Sequence, residues 1–236
     1  MIPRSSVGEG RYMRRVARGG TALLALVALV VLAMAAGAQA KEVKVTARQS
    51  VEHSGAKGDT VIEGGLTIEY DDILITAERA TVNMGAGVAR LAGKVALVQG
   101  DVQIDCDSMD LNIKKKTAAV AGNVRLQKRE TQVAKDESGK PKVSVVTLTC
   151  AAMEIFTDTQ NFNASGKVSI VKDGQRAQAE QASYNNAGKV LTLTGSVSIQ
   201  GEENESIKCD RAELHTDQVL VKAEGENMEI TFEIEE

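Results

Sequence analysis

With 43% hydrophobic and 25% charged residues, the 236-residue chain has the balance of a folded protein, enough for one large β domain or two small mixed ones. Two His and three Cys leave little for a histidine-centred catalytic site or a Cys/His zinc site. Three Phe, three Tyr, no Trp and a net charge of -4 argue against a base-stacking surface, so no nucleic-acid partner is expected.

The chain opens with Arg11, Arg14, Arg15 and Arg18 ahead of an unbroken apolar run from Thr21 to Gly37, closed by the small-residue triplet Ala38-Gln39-Ala40. That is the outline of a secretory signal, with cleavage expected after Ala40. A retained membrane anchor is the alternative, although the run falls short of the ~20 apolar residues of a comfortable span. Translation from Met13 would give a more usual leader length. Removing residues 1–40 takes five Arg and one Glu from the 28 basic and 32 acidic residues and leaves a domain, 41–236, of net charge -8. Such a surface does not attract anions in bulk, so an anionic lipid would have to be held mainly by apolar contacts.

Beyond the leader one pattern recurs five times: an alternating strand, a small residue, and a glycine sixteen positions later. The pairs are Ala77 with Gly93, Cys106 with Gly122, Cys150 with Gly166, Ala179 with Gly195, and Cys209 with Gly225. Three and five residues after each small position stand apolar residues such as Met109 and Leu111; in the first four repeats the same holds two and four after the glycine, as at Val95 and Leu97. The second interval is longer, and its extra charged segment at about 128–142, containing Gly139-Lys140-Pro141, is expected to be an exposed loop. Within a repeat the period is two: Leu191, Leu193, Gly195, Val197 and Ile199 alternate with Thr192, Thr194, Ser196 and Ser198. Turn formers such as Asn83-Met84-Gly85-Ala86-Gly87 and Asn185-Asn186-Ala187-Gly188 join the two strands of a repeat. The spacing predicts an all-β, elongated, folded-over antiparallel sheet of stacked hairpins, with little helix. No repeat closes a core alone, so stacked hairpins must share one apolar interior. Slender side chains in that interior are compatible with an apolar channel or with a fully packed sandwich.

Cys106, Cys150 and Cys209 share a column with Ala77 and Ala179 and read as buried small residues. Glu78, Asp107, Glu180 and Asp210 form a column just after it, expected at an outward solvated position; paired glycosidase carboxylates or a calcium ladder are the chemical alternatives. No Ser-His-acid constellation or phosphate loop is present, and His53 and His215 lie in unrelated segments. No catalytic residue, metal or cofactor is expected. The first alternating segment, Val43 to Gln49, and the last, Asn227 to Glu235, would be edge strands open to pairing, unless Glu229, Glu233, Glu235 and Glu236 guard the last one.

The runs Ile75-Thr76-Ala77-Glu78-Arg79-Ala80 with Leu91-Ala92-Gly93-Lys94-Val95-Ala96-Leu97, and Cys106-Asp107-Ser108-Met109 with Val120-Ala121-Gly122-Asn123-Val124, resemble the repeat of the OstA-like (LptA-type) family. The resemblance spans about Gly64 to Met228; Ala151 departs from it where the third repeat should carry an acid. It implies a folded-over β jelly roll, open at both ends, whose interior holds the acyl chains of lipopolysaccharide (lipid A). It also implies transport across the periplasm from inner to outer membrane without catalysis. Its implied partners are the inner-membrane and outer-membrane transport proteins of the same fold, with head-to-tail self-association through edge strands. The stretch after the last repeat is too short for an outer-membrane barrel, so the periplasmic bridge is expected first and its membrane-anchored partner second. A secreted β-solenoid acting on polysaccharide, or an adhesin, is the reading from another class. On the first reading the lipid-facing wall would comprise Ile75, Val82, Leu97, Ile104, Leu111, Leu126, Leu148, Ile155, Ile170, Leu193 and Ile199.

Overall fold

The computed structural model describes residues 44–54, 58–70, 72–83, 85–135, 141–201, 205–216, 220–226 and 228–231. The expected leader, 1–40, lies outside the described residues, as do Val43, Asn227 and residues 232–236 at the two ends and residues 136–140, with Gly139-Lys140, of the expected loop.

Sixteen strands form one antiparallel sheet: β1 (Lys44–Ala47), β2 (Ser50–His53), β3 (Asp59–Glu63), β4 (Leu66–Tyr70), β5 (Ile73–Ala77), β6 (Arg79–Asn83), β7 (Val88–Gln99), β8 (Val102–Asn112), β9 (Thr117–Lys135), β10 (Pro141–Phe156), β11 (Asn161–Lys172), β12 (Gln175–Asn185), β13 (Val190–Gln200), β14 (Ser206–His215), β15 (Leu220–Glu224) and β16 (Glu229–Thr231). From β7 to β14 each strand pairs with its sequence neighbours, so every connection is a hairpin. Several turns are closed by asparagine: Asn83 Oδ1 accepts from Ala86 N at 2.7 Å, Asn112 Oδ1 from Lys115 N at 2.9 Å, and Asn185 Oδ1 from Gly188 N at 3.0 Å. Between β11 and β12 the turn is Asp173-Gly174, both at positive φ, the conformation a two-residue hairpin loop requires.

The sheet folds along the recurring glycines. At Gly93-Lys94, Gly122-Asn123, Gly166-Lys167 and Gly195-Ser196 two successive residues have φ between 45° and 81°. There the register slips, so that two residues face one on the next strand. Each bulge bends a long strand into two arms. The first arm holds β1, β4, β5, β16, the segments after each glycine in β7, β9, β11 and β13 and the segments of β8, β10, β12 and β14 before Asp107, Ala151, Glu180 and Asp210; the second holds β2, β3, β6, β15 and the remaining segments. Near the N-terminus the bend interrupts the strand itself, so two short strands, β5 and β6, flank Glu78. Each arm has an apolar face, and residues of both faces form one buried cluster. Only the opposite arm can bury that face among the described residues, so the two arms close on each other around a shared interior.

The segment expected as a loop is different. Residues 128–135 continue β9, and β10 begins at Pro141, with Lys128 opposite Val146, Arg129 opposite Val145 and Thr131 opposite Val143. The insertion lengthens both strands of a hairpin whose register is already set below it. Antiparallel backbone pairing does not require apolar side chains, so a charged segment prolongs the ladder.

Candidate functional site

Strand register lines up the interior into rows. On the first arm one row runs Val45, Ile68, Ile75, Leu97, Ile104, Leu126, Leu148, Ile170, Ala177, Ile199, Ile207 and Ile230, each opposite the next across a strand pair. At ~4.8 Å per strand the row is on the order of 50 Å long. It passes from the first strand to the last without a polar interruption. On the second arm the facing row runs Val51, Ile62, Ala80, Leu91, Met109, Val120, Met153, Ala164, Ala182, Leu193, Ala212 and Ala223. A further row beyond it on the same arm carries Val82, Leu111 and Ile155, with Phe162 stacked on Tyr184 at 5.8 Å between centroids.

The structure brings all eleven residues of the expected wall onto inward-facing rows. Ile75, Leu97, Ile104, Leu126, Leu148, Ile170 and Ile199 make up most of the first-arm row, Leu193 lies on the facing row, and Val82, Leu111 and Ile155 on the next. Burial differs along them. Leu148 and Leu193 are 0% exposed, whereas Val82, Leu97 and Leu111 are half-buried at the margin of the cluster, together with Ala47, Ile68, Ile207 and Ala223. The central rows are packed against each other and present little surface to water; the apolar lips are concentrated near the two ends. The facing row also carries Ala80, Met109, Met153 and Ala182, from the apolar column three after the small position, and Ala164 opposite it, none of which belongs to the expected wall. They share one buried cluster with the Ile and Leu of the first arm.

The cysteine column is buried and its thiols are free. The strand carrying Val124 stands between Cys106 and Cys150, so those two do not bridge. Burial pushes Cys106 and Cys150 each up to about 11, with the Asp107 and Asp105 carboxylates adding to the effect at Cys106. Cys209 is raised for the same first reason.

The acidic column lies exposed along the outer ridge of the fold and serves the bends. Asn123 Nδ2 donates to Asp107 Oδ2 at 2.9 Å, Lys94 Nζ meets Glu78 Oε1 at 2.9 Å, and Glu226 N donates to Asp210 Oδ2 at 3.1 Å. The hydrogen bond and charge of Glu78 raise the Lys94 ammonium above its ordinary value. Glu78 and Asp107, and likewise Glu180 and Asp210, sit two strands apart, ~10 Å, and Asp107 and Glu180 four strands apart across Ala151, so none forms the closely spaced pair that a retaining glycosidase needs. Among the described residues no cluster of His, Cys, Asp and Glu is arranged to hold a metal ion.

Residues 74–219 match the family described as "LptA/(LptD N-terminal domain) LPS transport protein". No curated protein matches the chain. Among solved structures, one similar chain is the crystal structure of LptH, the LptA-homologous periplasmic component of the lipopolysaccharide transport device of Pseudomonas aeruginosa. It is 16% identical, with a TM-score of 0.44, over 52% of this chain and 82% of that one. At that similarity the likeness carries no functional argument.

Proposed function

Because the chain belongs to the LptA/LptD N-terminal-domain family and so has a role in lipopolysaccharide transport, we propose that it is a non-catalytic periplasmic carrier. In this reading it shields lipid A acyl chains between its two arms. The observation that carries the reading is the unbroken apolar first-arm row from Val45 to Ile230, facing a second row of smaller apolar residues. Taking a twelve-carbon chain out of water is worth on the order of 10 kcal/mol at ~0.8 kcal/mol per CH2, so free lipid does not cross an aqueous compartment at a useful rate. A row of near-equivalent apolar positions offers such a chain similar sites along its length, without one deep trap. Since the central rows are packed against each other, a lipid enters by parting the arms, beginning at the half-buried lips around Val82, Leu97 and Leu111. The eleven wall residues are then the surface that acyl chains touch.

Bridging between membranes belongs to the same reading. Among the described residues β1 and β2 are paired on one side only, and β15 and β16 likewise, so both ends present backbone groups for strand addition by proteins of the same fold or by a second copy. The test is co-elution of the purified chain with lipopolysaccharide in detergent-free gel filtration. Co-elution is expected for the native chain and lost in a folded Leu97→Asp variant. Well-folded protein that elutes without lipid overturns the carrier reading.

A further inference from the structure

The outermost inward row of the first arm is apolar at Val102 and Val146 but carries two lysines. Register places Lys128 between Val102 and Val146, Lys172 beyond Val146, and Gln175 beyond Lys172, all on one face of the sheet. That face is the inner one, because Val102 and Val146 are core residues. Lys172 and Gln175 are each only 3% exposed, and Lys128 is half-buried. The two lysine Cα atoms are separated by a single intervening strand, about 10 Å, which two long side chains can span toward a common group.

A lysine is among the last residues found inside a protein, because burying its charge costs more than an apolar side chain would. Position six after the bend glycine is nevertheless polar or side-chainless in every complete repeat: Gln99, Lys128, Lys172 and Gly201. The row below it is apolar from strand to strand. The polar row therefore lies where the apolar interior ends and the rim of the fold begins. Both lysines interact with other groups of the chain, and Ser144 Oγ donates to Asp173 Oδ2 at 2.7 Å in the adjoining turn.

We propose that Lys128 and Lys172 form a phosphate subsite at the rim of the interior, holding the anionic headgroup of a lipid whose acyl chains lie on the apolar rows below. This rests on the carrier reading and adds the chemistry of the headgroup to it. The domain as a whole is acidic, so attraction for phosphate is local to this pair and not a property of the surface. A phosphate with nearly two charges exchanges for the lysines' present partners and forms charge-assisted hydrogen bonds in a partly dehydrated place.

The experiment compares binding of the full chain to lipid A carrying its phosphates and to the same lipid dephosphorylated, each by displacement of a fluorescent acyl probe. The native chain is expected to prefer the phosphorylated lipid by about tenfold or more. The Lys128→Gln/Lys172→Gln variant loses that preference while retaining its affinity for the dephosphorylated lipid, and Lys128→Arg/Lys172→Arg restores it. Should the double glutamine variant fail to fold, Lys128→Gln alone, at the half-buried position, is read the same way and lowers the preference several-fold. Equal affinity of the native chain for both lipids, or a preference that survives in the folded variants, overturns the subsite and leaves the carrier reading standing. Failure of the native chain to bind either lipid overturns both.

Discussion

Leu97 and Leu148 occupy the same interior row, yet their replacements answer different questions. Leu148 is 0% exposed, and Leu148→Ala should lower stability by about 2–5 kcal/mol, seen as a reduced urea midpoint with unchanged circular dichroism at zero denaturant. Leu97 is half-buried at a lip, and Leu97→Asp should leave the chain folded while weakening lipid binding at least about tenfold, since one lost leucine contact is worth roughly 1.5–3 kcal/mol. The buried thiols make a third case. Their ordinary value is 9.0 and burial moves Cys106 and Cys150 to about 11, so unfolded thiols ionise before folded ones. The stability they contribute is whole below pH 9 and is lost as pH rises from 9 toward 11. Urea midpoints across that window should fall more steeply for the native chain than for Cys106→Ala/Cys150→Ala. The cysteines were legible as small inward residues because they share a column with Ala77 and Ala179; their altered ionisation was not, since it depends on how tightly the opposite arm covers them.

At the scale of the element, the bend explains why glycine recurs at a fixed distance from the small residue. A Cβ on Gly122 would lie 2.3 Å from Asp107 Oδ2 and 2.7 Å from Asp107 Cβ, and φ is +76°. On Gly166 it would meet the Cβ of Ala151 at 2.6 Å, so the close approach persists where the acid is missing. Gly122→Ala should therefore destabilise by roughly 1–3 kcal/mol, more than Asp107→Ala at its exposed ridge position, as measured by thermal melting of both variants. The sixteen-residue spacing was legible as a repeat, but its meaning as a fold line was not. Alternation carries through the bulge with the apolar residues still inward, so periodicity alone cannot distinguish a straight strand from a bent one. The extension of β9 and β10 into the segment expected as a loop has a related reason. Charge and a Gly-Lys-Pro sequence signal exposure, and exposure does not exclude a strand whose pairing is inherited from its own base. Replacing residues 131–143 by a two-residue Asp-Gly turn, which closes the Glu130–Ser144 pair, should leave the far-ultraviolet dichroism of the remaining sheet unchanged, because the core cluster contains none of them among the described residues.

The whole molecule is a stack in which each hairpin covers the apolar edge of the last, and its two ends are the places where the stacking stops. Val45, Val51 and Ile230 continue the interior rows at those ends and are largely exposed there. Proline at Val45 or Ile230 should reduce end-to-end association in sedimentation equilibrium without altering the fold of a dilute monomer, because only an edge strand loses a donor. The all-β class and the inward placement of the columns, the eleven expected residues among them, were determined by the sequence itself, since period-two alternation assigns faces before any tertiary contact exists. Tertiary structure decided that the sheet folds at the glycines, that rows from different repeats align into continuous tracks, and that the tracks pack closed at the centre and open at the lips. Those outcomes depend on register between strands and on which arm faces which. Both are set by contacts between residues distant in the chain, and no local pattern encodes them.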